Sequence, residues 1–408
     1  MEQSVAIELN QPTLSQKTKV LLTISCFNTL ANSLANVFVN VFLFRVTEQF
    51  EKVVLFNLVM YLAWLPAFVL AGWISKKGSK RNGLITGGLL QLLFYLFILY
   101  LGESASNSII LLGIIFGIGS GFYWMAVNTL SIDYTKEHNR DWFNGVNGIF
   151  NSFSQMLGPL FAGWIIVTYT NLKGYYLLFS AAALIFLFTF ILSLLLPKNK
   201  ESEPFYWKEI IIVHKSREWR ALTYAFTANS FRAGVLSFAI ILWVFMLTEK
   251  ESIIGGFAFI TTVLSVFTYY LIGKYGRGEY RMKMMLIGNL FLSLSLFGLV
   301  LEVNWTTLLV YGIISGICLP LFELPFHTLA LNNISMYDLH GKIRTELVVV
   351  REVALSVGRT LSVLLLFILY FYFEDNVWMF RGFIMMLILI GLLPHYFLKR
   401  VNKAFIQR

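Results

Sequence analysis

Charge is what this sequence has least of. Only 13% of its 408 residues are Asp, Glu, Lys or Arg, roughly half the share of an ordinary soluble domain. Hydrophobic residues make up 57% of the chain and the mean hydropathy is +0.70, which together exclude a soluble globular protein. Cysteine is nearly missing. Cys26 and Cys318 both sit inside apolar runs, so there is no disulfide framework and no metal-ligand spacing. No G-x4-G-K-[ST] loop is present to cradle a nucleotide phosphate, and no cofactor is expected. The opening stretch MEQSVAIELNQPTLSQK is too polar for the core of a signal peptide and lacks a small-residue cleavage site.

Long apolar runs are what the chain has instead. They fall near 18–44, 53–75, 83–102, 108–132, 143–170, 175–196, 219–247, 253–274, 282–303, 305–330, 346–373 and 377–398. Each is close to or above the roughly 20 residues that a helix needs to cross a bilayer. No alternating strand pattern separates them, and backbone in lipid must satisfy its own hydrogen bonds, so the runs read as twelve transmembrane helices. An even number of crossings puts both termini on one side. Apart from Arg232, Arg351 and Arg359 within spans, every Lys and Arg except Arg45, Lys52, Lys173, Lys250 and Arg381 falls on that side. The asymmetry follows the positive-inside rule and makes the side of the termini cytoplasmic. It also accounts for the net charge of +10 and the pI near 9.4 without a nucleic-acid partner. A multi-pass protein of the plasma membrane is expected, with the lipid bilayer around it.

The longest polar interruption, PKNKESEPFYWKEIIIVHKSREWR, runs from Pro197 to Arg220 and divides the chain almost in half. Phe205, Tyr206, Trp207 and Ile210–Ile212 give it affinity for the headgroup layer, as a short interfacial helix or a flexible tether. The resulting organisation is a tail (1–17), a six-helix bundle (18–196), a linker (197–218), a second six-helix bundle (219–398) and a tail (399–408). The halves also resemble each other. GIIFGIGSGFYWMAVNTL from Gly113 matches GIISGICLPLFELPFHTL from Gly312, and Ala31-Asn32-Ser33 matches Ala228-Asn229-Ser230. Together these point to duplication, an architecture typical of transporters. Gly113, Gly117 and Gly121, with Gly312 and Gly316, read as faces for close helix packing.

At this point the sequence resembles the major facilitator superfamily over essentially its whole length. The loop after the second span is similar to that family's motif A, G-x3-D-R-x-G-R-K, with Gly78, Lys80 and Arg81 in place and Ser75 where the acid belongs. The fifth span is similar to motif C of proton-driven exporters. Gly145, Gly158, Pro159 and Gly163 match, while Ser154 replaces one glycine. The resemblance implies an all-α membrane fold of two pseudo-symmetric six-helix bundles that rock about a central site.

Polar side chains lie where lipid would be expected. Asn28, Asn32, Asn36 and Asn40 recur every fourth residue in the first span, so they share one face. The fifth span adds Asn144, Asn147, Asn151 and Gln155, and the fourth adds Asn128. A hydrated cavity wall would explain them. Interhelical hydrogen bonds, each worth under about 2 kcal/mol, are the alternative. Trp124 and Tyr123 either line that cavity or fill the bundle. In the second half, Arg232 lies mid-span, Glu323 sits between Pro320 and Pro325, and Arg351, Glu352 and Arg359 share the eleventh span. Each charge costs about 2.5–3.5 kcal/mol near the bilayer centre, so these groups must pair or face water. Glu323 is the expected proton-coupling carboxylate, with Arg232 and Arg359 setting its charge state. Glu352 is expected to pair with Arg359. His327 reads as a hydrogen-bonded fixture or a proton relay.

The expected function is secondary transport, not enzymatic chemistry: proton-coupled movement of a small solute, polar or anionic, through a monomer. Export is favoured over uptake by analogy with motif C alone. A non-transporting receptor or scaffold on the same fold is the competing reading. The charged interior argues against it, because apolar replacements would make a static bundle at least as stable.

Overall fold

The structure is a computed structural model and describes residues 14–135, 137–169, 172–198, 204–276, 278–338, 342–373 and 376–406. Most of the N-terminal tail, and Arg277 in the loop after the eighth span, lie outside it. The first half contains α1 (Gln16–Thr47), α2 (Phe50–Lys77), α3 (Arg81–Leu101), α4 (Ile109–Tyr134), α5 (Glu137–Thr168) and α6 (Lys173–Leu194). A short linker helix, α7 (Trp207–His214), follows. The second half holds α8 (Arg217–Thr248), α9 (Glu251–Tyr275), α10 (Arg281–Ser295) continued by α11 (Phe297–Leu301), α12 (Trp305–Tyr337), α13 (Arg344–Tyr372) and α14 (Val377–Ile406). Among the described residues there is no strand. The expected C-terminal tail from 399 continues α14 as far as Ile406.

Eleven of these spans are long and apolar enough to cross a bilayer. The twelfth crossing is α5, whose amide-rich first half dilutes its hydropathy. Its path is fixed by its neighbours. Thr18 Oγ1 at the start of α1 donates to Tyr134 O at the end of α4 (2.7 Å). Tyr175, at the start of α6, reaches Glu251 beside the far end of α1 (2.9 Å). The chain between Tyr134 and Tyr175 must therefore traverse the bundle. The start of α1 and the end of α14 lie on one face, called here the terminal face.

The duplication is visible in how the helices start and stop. Ser15 caps α1 by accepting from Thr18 N, and Ser216 caps α8 by accepting from Trp219 N. Glu48 and Glu249 close the same two helices with φ of 55° and 54°, the left-handed cap that turns the chain back sharply. Aligned end to end, α1 and α8 pair Asn28 with Asn229. The sequence match of Asn32 with Asn229 is displaced from this register by one helical turn. Amides spaced four apart hide such a slip, because each turn presents the same face.

Glycine sets the closeness of the α2–α4 seam. A Cβ on Gly117 would collide with the Met60 carbonyl of α2, and one on Gly121 would come within 2.7 Å of Trp64 O. Between the two bundles, α2 and α13 stay together along their whole length. Phe50 stacks near Tyr370 (5.4 Å), the Arg359 guanidinium lies over Tyr61 and Trp64 (5.8 and 5.5 Å), and Lys76 pairs with Glu346 (3.2 Å). The other inter-bundle pair behaves differently. Near the far face α5 and α9 touch, with Gly163 against Glu251 O and Gly255 against Pro159 O (each 2.7 Å to an added Cβ). Toward the terminal face they part, and a Cβ on Gly145 or Gly148 would meet nothing within 4 Å. That gap is the mouth of the main cavity.

Candidate functional site

The cavity between α5, α9 and α12 has a volume of about 890 Å³, within the range of small-molecule sites. Its α5 wall presents Asn151, Ser152 and Gln155, with Gln155 Nε2 donating to Asn151 Oδ1 (2.6 Å). From α9 come Thr262, Ser265, Tyr269 and Tyr270, and from α12 Leu319, Pro320 and Glu323. Glu323 is half-buried. Among the described residues its carboxylate accepts no hydrogen bond and forms no ion pair. Apolar side chains fill the rest of the wall, including Ile149, Phe153, Met156 and Val266.

The amide stripe of α1 divides. Asn28 is buried and donates to Gln91 Oε1 of α3 (2.8 Å), and Asn32 Nδ2 donates to Asn28 Oδ1 and O (both 2.9 Å). Asn40 Oδ1 accepts from Asn57 Nδ2 of α2 (2.7 Å). Asn147 Oδ1 accepts from Ser25 Oγ (2.8 Å). Asn28, Asn40 and Asn147 thus hold helices together, Asn32 bonds within α1, and Asn36 stays exposed. Trp124 is 43% exposed and Asn128 half-buried on α4; neither belongs to the α5–α9–α12 wall.

The charged residues of the second half separate in the same way. Arg232 is fully inside its own bundle, 2% exposed. Its Nη1 donates to Asn289 Oδ1 (2.8 Å) and Ser293 Oγ (3.1 Å) of α10, and Nη2 donates to Asn229 Oδ1 (3.1 Å). Phe322 lies beneath it at 5.9 Å. The structure thus solvates this arginine with neutral acceptors and forms no ion pair between it and Glu323. Arg359 Nη2 bonds Glu352 Oε1 (3.1 Å), and Ser356 Oγ lies 3.5 Å from the same oxygen. Arg351 is half-buried, and its Nε has no partner among the described residues. His327 is exposed, one turn beyond Glu323.

The loop and helix motifs have structural work. Lys80 Nζ pairs with Asp133 Oδ2 (2.6 Å), and Arg81 donates to Ser193 O and Leu194 O (3.2 and 2.7 Å), tying the Gly78 loop to α4 and α6. Ser75 Oγ turns back to Gly72 O of its own helix (2.7 Å). Gly158 admits Ser33 of α1, and Gly163 admits α9. Three features escape sequence reasoning. Lys76 reaches Glu346 across the bundles, while Tyr206 N of the linker donates to Glu346 Oε1 (3.0 Å). At the far face Arg45 and Tyr175 converge on Glu251. The α9 wall is the third; its signal is Thr262, Ser265 and Tyr269 at i, i+3 and i+7.

Residues 21–333 match the sequence profile of the Major Facilitator Superfamily. The chain belongs to this family. It is a multi-pass membrane protein of the all-α fold the family shares, and members are generally transporters and not enzymes. It is similar to the uncharacterized protein YqgE of Bacillus subtilis (strain 168), 32% identical over 386 residues that cover 94% of this chain and 89% of that protein. It is also 35% identical over 164 residues to the uncharacterized protein in the sodM 3′ region of Geobacillus stearothermophilus, covering 40% of this chain and 77% of that one. The cavity lies between the bundles, shut at the far face and open toward the terminal face.

Proposed function

We propose that the chain is a proton-coupled secondary transporter that exports a small solute by alternating access. It works as a monomer in the plasma membrane, with both termini in the cytoplasm. Glu323 carries the reading: it is a carboxylate on the cavity wall that forms no ion pair among the described residues. A carboxyl group holds its proton more readily in a dry, closed surrounding than in a wet one. A wall residue that meets both in turn can load a proton on one side and release it on the other. Arg232 from α8 and Tyr269 from α9 lie within electrostatic reach of it, and His327 stands on the same helix within electrostatic reach of Arg351. Orientation is supported by the lysines and arginines gathered on the terminal face, and export by the motif-C glycines. The amides of α5 give the solute neutral donors and acceptors.

The test is flux in proteoliposomes under an imposed proton gradient. Glu323→Gln should abolish accumulation against the solute gradient while exchange or binding remains measurable. Undiminished, equally pH-dependent accumulation by the variant would overturn the assignment.

A further inference from the structure

The geometry points to an amphipathic organic cation as the occupant of the cavity, with Glu323 as its counter-ion. This rests on the transport reading above in using the same cavity. Sign is the first argument. Among the described residues that line the cavity, Glu323 is the only one that carries a charge, and no Lys, Arg or His is among them. Arg232 is turned into its own bundle and held by Asn229, Asn289 and Ser293. Arg359 is held by Glu352. An anion would therefore find no cation on the wall itself, and a neutral solute would leave the Glu323 carboxylate without a partner there.

The remaining surface decides what the cation carries. Tyr269 adds an aromatic ring to the same wall, where a desolvated cation gains from the aromatic quadrupole, while the Tyr270 ring already has the Lys274 ammonium 5.8 Å from its centroid. The mouth is apolar: Phe153 is 55% exposed and Tyr270 60% exposed. It opens beside α9, of whose apolar window only 22% is buried. Hydroxyls and amides occupy one patch of α5 and α9, and apolar side chains such as Ile149, Phe153, Met156 and Val266 line the rest. A delocalised charge in an apolar body fits both parts.

Tetraphenylphosphonium and tetraphenylborate have nearly the same shape and opposite charge, so they isolate the sign. Equilibrium dialysis on the full chain in nanodiscs should show saturable phosphonium binding and borate binding weaker by roughly tenfold or more, the factor that corresponds to about 1.4 kcal/mol. Glu323→Gln should lose the preference, and Glu323→Asp should keep part of it. Gly148→Trp introduces bulk where an added Cβ meets nothing, so it should fold and block phosphonium binding. Equal binding of both ions, or phosphonium binding unchanged in Glu323→Gln and Gly148→Trp, would overturn the inference. Proton-driven flux of another solute without phosphonium binding would overturn it too and leave the transport reading standing. Phosphonium binding that depends on Glu323 but is never driven by protons would support it and sink proton coupling.

Discussion

Two buried cations show how differently single residues can be accommodated. Lys76 and Glu346 are both almost inaccessible, at 6% and 0% of their side-chain surface, and they pair at 3.2 Å across the bundle interface. Removing one partner of such a pair costs about 3–5 kcal/mol, and Lys76 without Glu346 would keep only uncharged partners of the kind of Lys342 O (2.6 Å) and the Tyr206 ring (5.4 Å) among the contacts described. Glu346→Ala should therefore lower the melting temperature clearly, and the double change Lys76→Met with Glu346→Leu should recover most of the loss. An unchanged melting temperature in Glu346→Ala would mean that Lys76 simply swings to water. Arg232 forms no ion pair among the described residues; three neutral side chains satisfy its planar fork. Lysine keeps the charge but cannot reproduce the fork. Arg232→Lys should thus destabilise, at about 1.5–3 kcal/mol for each charge-assisted bond lost. If stability were unaffected, the charge alone would be what the site requires.

Between helices, what was legible in the sequence depended on how local the signal is. Hydropathy marks eleven crossings directly, and α5 is marked by the apolar run 143–170 even though its amides lower its mean hydropathy. The cavity wall on α5 was legible as the Asn151–Gln155 stripe. The similar stripe on α1 was not separable from it, because Gln91 and Asn57, the partners that bury Asn28 and Asn40, lie on other helices. Periodicity says that a face is polar; only packing says whether another helix covers it. The α9 wall was missed for a related reason: hydroxyls such as Ser265 bond their own helix, here Thr261 O at 3.0 Å, and so are common in buried spans. A cysteine series resolves the faces. Positions 36, 148, 151 and 155 should react with a small water-soluble thiol reagent, while 28, 154 and 158 should be protected. Reaction at 28 equal to that at 36 would show that α1 faces water along its whole stripe.

Across the whole molecule, the two inter-bundle seams divide the labour. The α2–α13 seam is sealed from Phe50 to Lys76, whereas α5 and α9 are sealed only near the far face. The far seal is built around one carboxylate. Glu251 is 6% exposed, takes Arg45 from α1 and Tyr175 from α6, and lets its backbone rest on Gly163 of α5. Three helices of the first bundle thus converge on one residue of the second. The linker adds a second tie at the other face through Tyr206 and Glu346. If the bundles rock, as the family's mechanism implies, the far seal must break before the cavity can open there. Glu251→Gln keeps the shape but removes the charge that holds Arg45, so it should shift the population toward a far-face-open state. The readout is a cysteine in place of Phe44, which packs edge-on against Phe245 at 6.2 Å. It should react slowly with impermeant reagent in the parent and faster, by severalfold or more, in Glu251→Gln, while a cysteine at Gly148 becomes less reactive. Opposite changes at the two positions are required. A rise at both would mean that the variant loosens the fold, and no change at either would remove Glu251 from the seal.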